Sequence, residues 1–171
     1  MCSLQLSIVE FFSSSENFSQ LKKIIDNRFI QPRLIDFYVT QYAKNNPEFF
    51  ILRVDGKAYG LMDVYSSYKL QLKAFHKKWF NLFDKKKNIV VGIDLYIEMS
   101  IARLNVYKWL IDNSIAGLLT KNLYEIQSKY YDFRKASMRD KQTNQKKRGR
   151  MSTFIKNPLI MKGIKKHLEK I

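Results

Sequence analysis

The chain has 171 residues, 46% of them apolar, and 31 lysines and arginines against 15 acidic residues give a formal net charge of +16. That length suits one domain with a sizeable core, and twelve phenylalanines, ten tyrosines and two tryptophans exclude a wholly unfolded basic chain. The one cysteine, Cys2, excludes an intramolecular disulfide and fits a reducing compartment.

Leu4, Leu6 and Ile8 alternate with polar neighbours and predict a short half-buried strand. Ser13-Ser14-Ser15-Glu16 fits a capping box, with Ser13 as N-cap, ahead of a helix whose face carries Phe18, Leu21 and Ile25. Pro32 suits the first turn of a second helix, with Ile35, Val39 and Tyr42 inward. Asn45-Asn46-Pro47 ends it, because the residue before a proline is pushed out of the α region. Phe49 to Val54 is β-rich, Asp55-Gly56 is a hairpin turn signal, and a second strand runs from Ala58 to Met62. From Val64 the period changes: Tyr65, Tyr68, Leu72, Phe75, Trp79 and Phe83 recur every three or four residues, as in an amphipathic helix. Asn88 to Ile97 predicts a further strand. Ser100 can cap a helix bearing Ile101, Leu104, Tyr107 and Ile111, with a break at Asn113-Ser114. Leu119, Leu123, Ile126, Tyr130 and Phe133 step along a long helix that packs onto the core. Beyond Ser137 the apolar pattern dissolves, with a short terminal helix after Pro158.

These elements predict an α+β fold, mostly helical, with a small antiparallel β-hairpin and packed helices. Residues 1–136 form a single globular domain, and residues 137–171 a basic, partly disordered C-terminal extension. No run approaches the roughly 18 consecutive apolar residues of a membrane span, so no membrane partner is expected. The N-terminus has neither a basic region nor an uninterrupted apolar core, so a signal peptide is not expected.

Positive charge is concentrated in two blocks. Residues 1–68 carry seven basic and seven acidic groups, whereas residues 69–88 carry Lys69, Lys73, Lys77, Lys78, Lys85, Lys86 and Lys87 against Asp84 alone. Residues 129–171 hold fourteen basic groups against three acidic ones. Such blocks point to a polyanion-binding surface. Lys69, Lys73 and Lys77 fall at i, i+4 and i+8, where like charges cost roughly 0.2–0.5 kcal/mol per pair in an isolated helix. A bound phosphate would offset that cost, and because the same polarity recurs at the C-terminus the phosphate-contacting face is preferred to a solvated lysine face kept for solubility.

In the second block Arg134 and Lys135 precede Lys146-Lys147-Arg148-Gly149-Arg150. The Arg148-Gly149-Arg150 core resembles the AT-hook, in which an extended backbone lies in the minor groove and both guanidinium groups reach inward. Met151 stands where the hook has proline. Nuclear import reads the same residues equally well, and a disordered basic tail that binds polyanions without sequence preference is the leading reading. Trp79, Trp109, Tyr130 and Tyr131 could stack on unpaired bases, but at helical spacing beside leucines they read as core.

Pro47-Glu48 followed by Asp55-Gly56-Lys57 has the order of a magnesium nuclease signature, in which two carboxylates hold the ion and a lysine positions water. Only six residues separate Glu48 from Asp55, and Asp55-Gly56 is better explained as a turn. His76 and His167 lie far apart, so no metal site, no catalytic residues and no cofactor are expected.

Arg33 to Tyr42, Ser67 to Phe75, Lys77-Lys78-Trp79-Phe80 and Arg103 to Ile111, in this order and spacing, resemble an uncharacterised family of small basic proteins of large double-stranded DNA viruses of eukaryotes. The resemblance spans roughly residues 33–152. Where that family has a proline- and cysteine-containing turn after the lysine pair, this chain has Phe80-Asn81-Leu82-Phe83-Asp84-Lys85. The family implies a viral context and lends no activity.

The expected function is that of a nucleic-acid-binding accessory protein of a virus, in genome packaging, condensation, replication or transcription, with DNA ahead of RNA as partner. The alternative is a structural virion component, a minor capsid or core protein with viral structural proteins as partners. A third reading is the magnesium-dependent nuclease built on Glu48, Asp55 and Lys57. The expected location is inside an infected host cell, in the nucleus or a cytoplasmic virus factory, or within the virion.

Overall fold

At the N-terminus a four-residue spacing prevails over a two-residue alternation. Helix α1 (Ser3–Phe12) buries Ile8 and Phe12, one turn apart, and leaves Leu6 55% exposed. The expected strand is therefore a helix, because Leu4, Ile8 and Phe12 share an edge only at helical spacing. The computed structural model describes residues 3–54, 57–86, 89–92 and 96–155, with residues 53–54, 57–59 and 140–155 as backbone alone.

Helix α2 (Ser15–Asp26) starts from Ser14, which makes no side-chain cap. The capping box expected at Ser13 and Glu16 does not form, because the Ser13 hydroxyl donates to the Val9 carbonyl at 2.8 Å and closes α1 instead. The inward residues of α2 are Leu21 and Ile24, with Ile25 half-buried. Helix α3 (Pro32–Phe37) begins at its proline and continues through a π-helical turn, Tyr38–Tyr42, into α4 (Ala43–Asn45). Ile35, Val39 and Tyr42 are buried along it, as their spacing predicts.

Strands β1 (Phe49–Val54) and β2 (Lys57–Asp63) pair antiparallel from Phe49 with Asp63 to Val54 with Lys57, with an irregularity between Leu52 and Arg53. Gly60 lies opposite Leu52 at φ +152°, a conformation side chains rarely adopt. Phe50 is buried, while the cross-strand pair Ile51 and Leu61 is exposed. The turn expected at Asp55-Gly56 lies outside the described residues.

Helix α5 (Val64–Trp79) is capped by Asp63, whose carboxylate accepts from the Ser66 amide at 2.9 Å. Burial works to raise the Asp63 pKa, but the hydrogen bonds from Ser66 prevail and hold it below the usual carboxylate range. Tyr68, Leu72, Phe75 and Trp79 are half-buried along α5, and Phe83 lies beyond its end. The single strand expected from Asn88 to Ile97 is two, β3 (Ile89–Val91) and β4 (Ile97–Met99), paired antiparallel. Gly92, at φ 114°, ends β3 and lets the chain turn back.

Helix α6 (Ile101–Asp112) starts at Ser100, whose hydroxyl accepts from the Arg103 amide at 3.2 Å. Nine of its twelve residues are buried, with Arg103 and Lys108 half-buried and Asp112 exposed. It packs against α1, α2, α5 and the helix that follows it, the position a largely apolar helix takes. Trp109 donates from Nε1 to the Ser67 hydroxyl at 3.0 Å, and its ring lies 5.9 Å from Tyr68 and 5.7 Å from Phe80. Ser114, at φ 57°, breaks the helix where expected, and α7 (Ile115–Lys121) follows. The continuous helix expected over 119–133 is interrupted at Asn122, after which α8 (Leu123–Ile155) begins. Leu119 and Ile126 are buried on either side of the break. Past residue 137 α8 continues, since lysine, arginine, glutamine and methionine sustain a helix without apolar periodicity and no proline intervenes.

The architecture is α+β and mostly helical, with two two-stranded antiparallel sheets among the described residues. The chain divides into two units, Met1–Ser128 and Lys129–Ile171, whereas the sequence reading sets the domain edge at residue 136. The terminal helix expected after Pro158 lies outside the described residues.

Candidate nucleic-acid interface

The first basic block occupies α5 and the segment after it. Lys69, Lys73, Lys77, Lys78, Lys85 and Lys86 are all exposed, and Lys87 lies outside the described residues. The i, i+4, i+8 stripe holds only in part. His76 adopts φ 54° and ψ 169° and kinks α5, so Lys69 and Lys73 share one face while Lys77 and Lys78 follow the kink. None of the six exposed lysines forms a salt bridge with a described carboxylate. Lys69 sits 5.5 Å from the Tyr65 ring centroid, and Lys78 sits 4.9 Å from that of Trp79, so two ammonium groups rest on aromatic faces.

The segment carrying Lys85 and Lys86 is pinned at several points. Phe80 and Leu82 are buried, and the Asn81 amide donates to the Ala102 carbonyl at 3.1 Å. The Asn81 side chain accepts from the Phe83 amide at 3.0 Å, and the Ser100 hydroxyl donates to the Asp84 carbonyl at 3.4 Å. Asp84, the only acid of the block, accepts from the Lys86 backbone amide at 3.2 Å. At the end of α5, Asn105 donates from Nδ2 to the Trp79 carbonyl at 2.9 Å. The lysines thus project from a backbone held by α6, which lowers the ordering cost of contacting a phosphate.

Beside this block lies a cavity of about 680 Å³. Lys44, Lys69 and Lys77 stand in its lining with Asp36, the one carboxylate among the described lining residues, above a floor of Leu72, Phe80, Leu82 and Val106. Burial raises the Asp36 carboxyl above its ordinary pKa, against the opposing pull of the Lys77 ammonium. Burial, and then the Asp36 charge, likewise push up the Tyr68 phenol. Lys44, Asp36 and Gln41 are absent from the sequence-derived site because they fall in the charge-balanced stretch before residue 69. Only the packing of α3, α4 and α5 brings them to the lysines, and no local motif signals it.

In the second unit Arg134 and Lys135 are exposed, and the Arg134 guanidinium lies 5.8 Å from the Tyr130 ring centroid. Tyr130 and Tyr131 are 6.2 Å apart, with Tyr131 59% exposed. The side chains of Lys146, Lys147, Arg148 and Arg150 lie outside the described residues, but their backbone is helical. The extended backbone expected of the hook-like Arg148-Gly149-Arg150 is therefore absent. Helix-forming neighbours carry the helix through Gly149, at a cost of about 1 kcal/mol relative to alanine.

Of the nuclease-like triplet, Asp55 and the side chain of Lys57 lie outside the described residues. The Glu48 carboxylate accepts from the Tyr38 hydroxyl and from the Asn122 amide, which ties the π-helical turn to the α7–α8 junction. Among the described residues no group of three or more histidine, cysteine, aspartate or glutamate side chains is placed to hold a metal ion. No described helix is long and apolar enough to cross a membrane. Trp109 is a core residue, with its indole donor satisfied by Ser67.

A family of unknown function, DUF7197, matches residues 4–167. The uncharacterized protein L507 of Acanthamoeba polyphaga mimivirus is 28% identical over 145 residues, covering 80% of this chain and 56% of that protein. The chain thus spans little more than half the length of this relative. No solved structure matches. A viral, uncharacterised relative agrees with the viral resemblance carried by residues 33–152.

Proposed function

We propose, for a chain that belongs to the DUF7197 family, that it is a viral nucleic-acid-binding accessory protein acting mainly through phosphate contacts. The observation that supports this reading is the first basic block. Six exposed lysines form no salt bridge with a described carboxylate, Lys77 alone among them interacting electrostatically with one, Asp36, and the segment bearing two of them is pinned to α6. Exposed ammonium groups outside salt bridges suit a polyanion, since each phosphate contact releases condensed counterions. Phosphate contacts position a ligand and do not read its sequence, so binding is sequence-tolerant, and DNA is taken ahead of RNA as the partner. Packaging, condensation, replication and transcription all use such a protein.

Filter binding over a range of salt concentrations tests the reading. If about six lysines engage phosphates, log K falls against log salt with a slope near −5, by the rule of about −0.9 per contact. A slope near zero removes it.

A second reading, a structural virion component, draws on the exposed apolar side chains of the first hairpin, Phe49, Ile51 and Leu61. High copy number in the shell of purified particles supports that reading over the first.

A further inference from the structure

We propose that the cavity bordered by α3, α4, α5 and the segment after α5 binds one nucleotide unit, a flat base bearing a phosphate, either as a free nucleotide or as one residue of a strand. The strand-borne case rests on the proposed nucleic-acid function; the free-nucleotide case stands without it.

Size comes first. At about 680 Å³ the cavity falls within the roughly 300–1,000 Å³ of pockets that enclose small organic ligands. Charge comes second. Lys44 on α4, Lys69 on the first part of α5 and Lys77 beyond the kink converge from three segments, with only the half-buried Asp36 to oppose them in the lining. Lys77 interacts electrostatically with Asp36, whereas Lys44 and Lys69 have no described carboxylate partner. Gathering three ammonium groups brings the fold no benefit by itself, and a phosphate relieves their repulsion.

The remaining lining matches a base better than a bare anion. Leu72, Phe80, Leu82 and Val106 give an apolar floor, which inorganic phosphate would leave unused. Phe83 borders the cavity with 48% of its surface exposed, an available face for stacking. Asn81 uses its carbonyl oxygen on the Phe83 amide, which leaves its NH2 group to donate, and Gln41 adds a second amide. Asp36 supplies an acceptor for an exocyclic amino group. An apolar ligand without charge would leave the lysines unneutralised.

The test is calorimetric titration of the full chain with adenosine monophosphate, adenosine and inorganic phosphate. The nucleotide is expected to bind about tenfold more tightly than either fragment, because each fragment forfeits the stacking or the charged contacts. Lys44→Gln, an exposed position outside both basic blocks, weakens nucleotide binding by about tenfold with the circular dichroism spectrum unchanged. Leu72→Trp, which fills the floor, does the same. A single-stranded oligonucleotide and its abasic counterpart identify the source. Preference for the base-bearing strand assigns the site to a strand-borne nucleotide, and equal binding of the two beside tight monophosphate binding assigns it to the free nucleotide. Monophosphate binding no tighter than phosphate, or unchanged in Lys44→Gln, overturns the proposal. Duplex binding with the expected salt slope and no monophosphate binding removes the pocket and leaves the proposed function standing. Monophosphate binding with no salt-dependent duplex binding does the reverse.

Discussion

His76 holds a backbone conformation that is close to glycine-only. At φ 54° and ψ 169° its Cβ is crowded, and such positions cost about 1–3 kcal/mol. The strain is offset by what the kink achieves: the His76 carbonyl accepts from the Phe80 amide at 3.1 Å, and Phe80 packs between Phe75 and Trp109. His76→Gly should therefore stabilise the fold by about 1 kcal/mol, the relieved strain less the added entropy of the unfolded chain. The readout is a higher urea midpoint at unchanged slope. His76→Ala retains the Cβ and should gain nothing; a lower midpoint for the glycine variant would mean the imidazole itself holds the kink. Asp36 offers a second test on the same scale. Burial raises its folded pKa despite Lys77, so the folded state holds its proton more tightly than the unfolded one. Lys44, Lys69 and Tyr68 line the same cavity, and burial, followed by the Asp36 charge, raises the Tyr68 phenol. The sign follows directly. Ionisation of Asp36 disfavours folding above its folded pKa, and the penalty vanishes below its unfolded pKa of about 3.9. Asp36→Asn should raise the melting temperature at neutral pH, with the gain shrinking to nothing as pH falls through that window. Lys77→Gln, which removes the opposing pull, should push the Asp36 carboxyl higher still in an NMR titration.

Between elements, one carboxylate joins distant parts of the first unit. Glu48 accepts from Tyr38 in the π-helical turn and from Asn122 between α7 and α8. Glu48→Gln turns one acceptor oxygen into a donor that faces a donor, and should cost about 1–3 kcal/mol in chemical denaturation. Burial, with the Glu48 hydrogen bond second, raises the Tyr38 phenol; burial, with Glu125 second, pushes Tyr42 up to about 12. Folded pKa values above the unfolded value of about 10 mean that this stability is fully present below pH 10 and is lost as pH rises toward 12. Alkaline unfolding followed by circular dichroism should therefore coincide with ionisation of these tyrosines in the ultraviolet.

The same elements show what sequence pattern can and cannot carry. The first hairpin and α6 were legible because a β-rich run beside Asp55-Gly56, and Ser100 ahead of an apolar helix, are local signals that agree with the tertiary outcome. Helix α1 was not, since Leu4, Leu6 and Ile8 satisfy periods of two and four at once, and only Phe12 and the packing against α6 decide between them. The kink at His76 has no glycine or proline to announce it. The lysines on α5 were legible from charge density, whereas the cavity they share with Lys44 and Asp36 depends on contacts no local window contains.

On the scale of the molecule, the charge is divided between two units, and each block can be assessed by its share of the salt dependence. The first block offers Lys73, Lys78, Lys85 and Lys86 outside the cavity lining, all exposed. Changing these four to glutamine leaves the proposed nucleotide site intact. At about 0.9 per contact, it should flatten the slope of log K against log salt by about 3 to 4. The loss should be nearly equal for unrelated duplex sequences, because phosphate contacts carry no base information. The same number of neutral substitutions at Lys146, Lys147, Arg148 and Arg150 measures the contribution of α8. These positions follow a helical backbone, so they can lie along a groove wall without the groove-floor approach an extended hook makes. Their removal should also flatten the slope without altering any preference for adenine- and thymine-rich duplexes. If the first variant keeps the full slope while the second abolishes it, the lysines of α5 and its following segment are a solvated face, and the phosphate contacts belong to the second unit alone.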